Sequence, residues 1–137
     1  IGFRKAIAQT NLATILLKRD NAAEAEKLFV MAADAFENSG RRSFHAVALA
    51  GVLACAASQG WWGSIDEHLD PIAEFVDETD ECERDLAELL EFAADHLTDG
   101  EQFDHGHRAY KLARQQWERL GQEQRAARVT RKLSRWV

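Results

Sequence analysis

The densest gathering of chemically capable side chains is His96, Asp99, Asp104, His105 and His107, five residues within a stretch of twelve. Imidazole and carboxylate are the donors that Zn²⁺ or Ni²⁺ takes from proteins. The spacing works against a metal centre: His105 and His107 are two apart and point to different sides of a helix, whereas helical ligand pairs stand three or four apart. A polar turn with solvated imidazoles is the expectation, with no metal and no cofactor. His45 and His68 have no obvious partner nearby in sequence.

Patterns for covalent or phosphoryl chemistry are absent too. The chain has no Gly-rich phosphate loop, no Gly-x-Ser-x-Gly elbow and no His-Glu-x-x-His helix. Carboxylates that could pair for acid–base work are plentiful, because 16 acids crowd residues 43–104, but such a run ordinarily forms a solvated face. Cys55 and Cys82 are 27 residues apart and fit neither a disulfide framework nor a metal knuckle, which suits a reducing cytoplasm. No catalytic residue is expected, and the chain is read as a non-enzyme.

What positions these side chains is a helical scaffold. The 137 residues are 46% hydrophobic and 29% charged with a single proline, a composition for helices with short connections. Charge is uneven: residues 1–42 carry +2, residues 43–104 carry −15 and residues 105–137 carry +7, for a net of −6. So acidic a middle repels a polyanion from the basic end within a Debye length or two, roughly 8–16 Å, so no direct contact with nucleic acid is expected. The apolar run Ala46–Ala57 is about 12 residues, short of the roughly 18–20 that span a bilayer, so no membrane contact is expected either. The N-terminus has no initiator Met and no signal core, and the chain is expected to be a piece of a longer one.

The scaffold is repetitive. Ala25, Phe29, Ala32, Phe36 and Gly40 return as Gly106, Tyr110, Ala113, Trp117 and Gly121, all shifted by 81, and half that shift finds a degraded copy in Ile65, Leu69, Ile72, Val76 and Asp80. A second stripe precedes each: Leu49, Val52, Leu53 and Ala56 in the middle copy, Leu90, Ala93, Ala94 and Leu97 in the last. In the first copy Leu12, Ala13 and Leu16 keep the pattern and Gln9 breaks it. Apolar residues at i, i+3, i+4 and i+7 make one stripe on a helix, so each unit is two amphipathic helices. Turns are expected at Asp20-Asn21, Gln59-Gly60 and Asp99-Gly100, with Asn21/Glu24 and Ser64/Glu67 spaced as capping boxes. Pro71 falls inside a helix, where a kink or a restart capped by Asp70 would relieve it. Gln122–Val137 repeats only the first helix of the unit, with Val129, Leu133 and Trp136 as its apolar face.

These residues resemble the tetratricopeptide repeat: small residues where paired helices cross, a large apolar residue late in the first helix, then an aromatic after the turn (Trp62, Phe103; Ala22 in the first copy). A period of 40–41 departs from that family's 34 and is more similar to the long-repeat variant of bacterial MalT-type regulators. The resemblance implies an all-α, right-handed solenoid of antiparallel hairpins with about seven helices. Its single domain, 1–137, would hold repeats at about 3–40, 41–80 and 81–121 and a capping helix at 122–137.

In such a stack the first helix of each hairpin lines a concave groove. The groove-facing residues are then Ile7, Thr10, Thr14 and Leu17; Val47, Ala50, Ala54 and Ala57; Glu88, Glu91 and Asp95, with Thr98 at the same offset; and Arg128, Arg131 and Arg135. The apolar half suits an amphipathic helix or extended peptide. The charged half is either a ladder of internal ion pairs or part of the binding site. Trp61 has no place in the core pattern and is either draped over a repeat interface or an exposed anchor. Chaperone-binding members of the resembled family grip a carboxylate with Lys, Arg and Asn; the Thr, Ala and acids here do not imply that activity. The expected function is a protein- or peptide-interaction domain of a larger bacterial regulatory protein. A small-effector sensor and a self-association module, with a homodimer, stay open as alternatives.

Overall fold

The structure, a computed structural model, describes residues 2–135. Among these the chain is all-α, with seven helices: α1 (Phe3–Lys18), α2 (Ala22–Asn38), α3 (Arg42–Gln59), α4 (Ile65–Glu78), α5 (Arg84–Asp99), α6 (Phe103–Arg119) and α7 (Glu123–Ser134). No helix among the described residues is long and apolar enough to cross a membrane. Trp136, expected on the apolar face of the last helix, lies outside the described residues.

Burial follows the 40–41-residue period through both helices of the unit. Ala6, Ala46 and Ala87 are all buried, as are Thr10, Ala50 and Glu91, then Ala13, Leu53 and Ala94, then Leu17, Ala57 and Thr98. On the alternate helices Phe29, Leu69 and Tyr110 are equivalent buried residues, as are Phe36, Val76 and Trp117. Leu12 departs from the pattern. It is 49% exposed while its counterparts Val52 and Ala93 are buried, because the described residues place no helix on that side of α1.

Five of the six joints close in one way. A residue with positive φ (Asp20, Gly40, Gly60, Glu101 or Gly121) ends the preceding helix. The next N–H then reaches back five residues, as in Arg41 N–H to Phe36 O at 3.0 Å and Gln122 N–H to Trp117 O at 2.9 Å. This is the Schellman closure, which satisfies carbonyls that a helix end leaves free. Asn21 and Ser64 occupy the expected N-cap positions, but neither side chain makes a capping hydrogen bond.

The α4–α5 joint is the exception. Asp80 stands where the other two copies have Gly40 and Gly121, and residues 79–83 run outside any helix. Pro71 neither restarts nor ends α4, which is helical from Ile65 to Glu78; Glu67 O simply lacks its N–H donor. With a long joint in place of a tight one, α4 lies against α3 and α6, while α3 packs directly on α5. Elsewhere sequential helices pack in pairs, and α2 presses so closely on α3 that a Cβ on Gly51 would come within 2.3 Å of the Phe29 ring.

Candidate functional site

The most unusual residue of the core is Glu91, a carboxylate only 5% exposed, in the register where α1 has Thr10 and α3 has Ala50. A buried carboxylate needs donors. Glu91 accepts hydrogen bonds from Trp117 Nε1 at 3.1 Å, from Arg128 Nε and Nη2 at 2.9 and 2.7 Å, and from Lys132 Nζ at 2.8 Å. Burial pushes its pKa up, but the hydrogen bonds from Arg128 and Lys132 outweigh that and hold it below the ordinary glutamate value. One turn on, Asp95 accepts from Tyr110 Oη at 2.5 Å and from Lys132 Nζ at 3.0 Å. Burial, reinforced by Asp95, raises the Tyr110 phenol far above its usual range, so it remains a donor. Arg125 adds a cation–π contact, 4.9 Å above the Trp117 ring.

This network fixes one wall of a hollow of about 420 Å³ between the end of α1, the face of α5 and α7. Thr14, Leu17, Leu89 and Phe92 supply its apolar lining; Lys18, Asp85, Glu88, Arg125, Arg128 and Lys132 supply its charges. Apolar lining beneath oriented charges is what a recognition site offers.

Of the expected groove residues, Thr14, Leu17, Glu88, Glu91, Asp95 and Arg128 meet at this hollow. Ile7, Thr10 and Val47 border a separate, smaller cleft of about 60 Å³. On α3 the expected apolar wall is corrected: Ala50, Ala54 and Ala57 are buried and line neither cleft, and Val47, also buried, reaches only the smaller one. Their short side chains leave α3 sunk in the core, while residues of α1 and α5 line the same clefts beside it.

The charged ladder is also corrected. Arg128 pairs with Glu91 as expected, but Glu88 turns to Arg84 at 3.2 Å, and the second cation against α5 is Lys132. Arg131 makes no ion pair among the described residues, and Arg135 lines a neighbouring hollow of about 290 Å³ beside Asp95 and Tyr110. Val129 and Leu133 are buried, as their apolar stripe implied, and Arg125, Arg128 and Lys132 line the hollow beside that face.

Trp61 is 52% exposed and lines an open apolar depression with Ala23, Val30 and Met31 of α2, so it lies beside the preceding unit and still presents its face to solvent. Trp62 instead lies over Gly100 at the end of α5. Of the polar turn, His105 bonds Asp66 at 3.1 Å and His96 lies tilted against Phe92, ring centroids 4.6 Å apart; among the described residues no group of three or more His, Cys, Asp or Glu is placed to hold a metal ion. Burial, aided by the charge of Glu26, pushes the Cys55 thiol up to about 12, which leaves it protonated and unreactive.

Sequence reasoning missed Gln116, which is fully buried. Its amide binds the irregular joint in both directions, accepting from Glu83 N–H at 2.9 Å and donating to Glu81 O at 3.3 Å. Arg119 adds bonds to Glu81 O and Val76 O at 3.1 and 2.7 Å. The signal was present as a glutamine on the apolar side of α6, one residue before Trp117.

No protein-family model, curated protein or solved structure matches the chain.

Proposed function

We propose that the chain is a non-catalytic interaction domain that takes a partner peptide into the hollow between α1, α5 and α7. It would belong to a larger cytoplasmic regulatory protein of bacterial type and form one right-handed solenoid of antiparallel hairpins, similar to the long tetratricopeptide-like repeats. The recurrence of burial at 40 and 41 residues supports the repeat reading. The observation that carries the functional reading is the hollow itself, where Leu17, Leu89 and Phe92 lie under charges that Glu91 and Asp95 hold in place. Binding energy would come chiefly from covering the half-buried Phe92 and Thr14 over the buried Leu17 and Leu89, and Lys18, Asp85 and Arg125 at the rim would set orientation and on-rate.

The test uses peptides selected on the whole chain from a displayed random library. Phe92→Arg, with helicity checked by circular dichroism, is expected to weaken the selected peptides on the order of tenfold or more, about 1.4 kcal/mol. Val30→Arg, on the far surface beside Trp61, is expected to leave them unchanged. Peptides indifferent to Phe92→Arg contradict the assignment.

A volume near 420 Å³ also lies within the roughly 300–1,000 Å³ of small-molecule sites, which favours the effector-sensor reading as the second choice. A metabolite that raises the melting temperature of the wild-type chain but not of Phe92→Arg would support it over the peptide reading.

A further inference from the structure

The charges lining the hollow between α1, α5 and α7 do not all find partners. Glu91 and Asp95 hold Arg128 and Lys132, and Glu88 turns to Arg84. Left without an ion pair among the described residues are Lys18, Asp85 and Arg125. Lys18 is exposed at the end of α1, and Asp85 also borders the smaller cleft beside Ile7 and Thr10, on the α1 side. Arg125 differs from both, because it is half-buried and already held in one place.

Its guanidinium rests over the ring of Trp117, 4.9 Å from the ring centre. That ring is itself fixed, since Trp117 is fully buried and its Nε1 donates to Glu91 at 3.1 Å. Arg84 lies over the same ring at 6.0 Å, so two cations share one aromatic while Glu88, bonded to Arg84 at 3.2 Å, answers only one of them. A guanidinium laid on an aromatic face keeps the N–H donors in its plane free. Among the described residues the Arg125 guanidinium donates no hydrogen bond and makes no ion pair. An arginine held in this way loses little further rotamer freedom when an anion arrives.

We propose that Arg125 receives an aspartate or glutamate side chain of the partner peptide, next to an apolar residue that covers Phe92. The inference rests on the peptide reading of the hollow and adds the chemistry of the peptide. Two parallel N–H donors of the guanidinium match the two oxygens of a carboxylate. A phosphate would bring nearly two negative charges to a wall that already holds Asp85, Glu88, Glu91 and Asp95, whereas a carboxylate brings one, the charge that Arg125 leaves unmatched. Asp85 repels an acid from the α1 side, so the acidic side chain of the peptide is turned toward α7.

The test takes library-selected peptides whose affinity for the whole chain falls with Phe92→Arg, titrated by calorimetry. Exchanging the aspartate or glutamate of such a peptide for its amide is expected to weaken binding to the wild-type chain at least about tenfold, the scale of a charge-assisted hydrogen bond, while amidation of the peptide C-terminus changes nothing. This arm needs no variant of the chain. Arg125→Gln, with helicity checked by circular dichroism, is expected to impose the same loss on the acidic peptide and to leave the amide peptide within about twofold, so that the two changes together cost no more than either alone. Selected peptides without an acidic residue, equal affinity for acid and amide, losses that add, or dependence on the C-terminal carboxylate instead would each overturn the role of Arg125 and leave the hollow as the peptide site. Indifference of every selected peptide to Phe92→Arg would overturn the peptide reading and this inference with it.

Discussion

Glu91 is an anion at neutral pH with four N–H donors around it, and its energetic role follows from that. Glu91→Gln keeps the carbonyl that Trp117 needs but removes the charge that Arg128 and Lys132 face. Both cations reach solvent and can rotate outward, so the expected loss is that of charge-assisted hydrogen bonds, about 1–3 kcal/mol, rather than that of a fully buried ion pair. The pH dependence has a definite sign. A carboxyl held below its ordinary value of 4.5 stabilises the fold above that pH, and the contribution is lost as pH falls through the depressed folded value. Urea melts of wild type and Glu91→Gln should therefore differ most near pH 7 and converge in the acid range below pH 4.5; a gap that persists there would show that charge is not the cause. Glu91, Asp95 and Arg128 were legible in sequence as residues at one helical offset. Lys132 and the Trp117 donor were not, because their roles depend on how far α7 and α6 rotate about their own axes.

Among the elements, the joint at 79–83 departs most from the rest. Five joints carry a positive-φ residue and close on the helix before them; this one has Asp80 and is held by side chains of α6 instead. Gln116→Leu fills similar volume and removes both amide bonds, leaving Glu83 N–H without its acceptor while Glu81 O keeps Arg119. The expected cost is about 1–3 kcal/mol, with faster hydrogen exchange at the Glu83 amide than at Arg41 or Gln122, whose backbone closures the substitution does not touch. Uniform acceleration across all three would mean that the whole fold had loosened and the joint has no special dependence on Gln116. The sequence showed this joint as the degraded copy, with Ile65, Pro71 and Asp80 off pattern. What it hid was the remedy, since a glutamine thirty-three residues away gives no local sign of which backbone it will meet.

For the molecule as a whole, the stripes Val52, Leu53, Ala56 and Leu90, Ala93, Ala94, Leu97 named buried residues of α3 and α5, while Leu12 of the first stripe is exposed and α3 is buried well beyond its stripe. They did not settle curvature. Ala50, Ala54 and Ala57 have the same offsets as open groove residues would, yet their small size lets the helices around α3 approach until the wall is closed. The net charge of −6 likewise conceals local pairing: Asp66 and Asp70 of α4 meet His105 and Arg108 of α6, and Glu91 and Asp95 meet α7. The exposed large hydrophobic residues among those described are Leu12 and Ile15 of α1, Val30 and Met31 of α2, Trp61 and Phe103. Amide and methyl chemical-shift mapping with a library-selected peptide decides whether the hollow between α1, α5 and α7 receives a partner peptide, as proposed. The largest changes are expected at Thr14, Leu17, Leu89 and Phe92; changes centred on Val30, Met31 and Trp61, with those four unmoved, would place the peptide elsewhere and overturn the assignment.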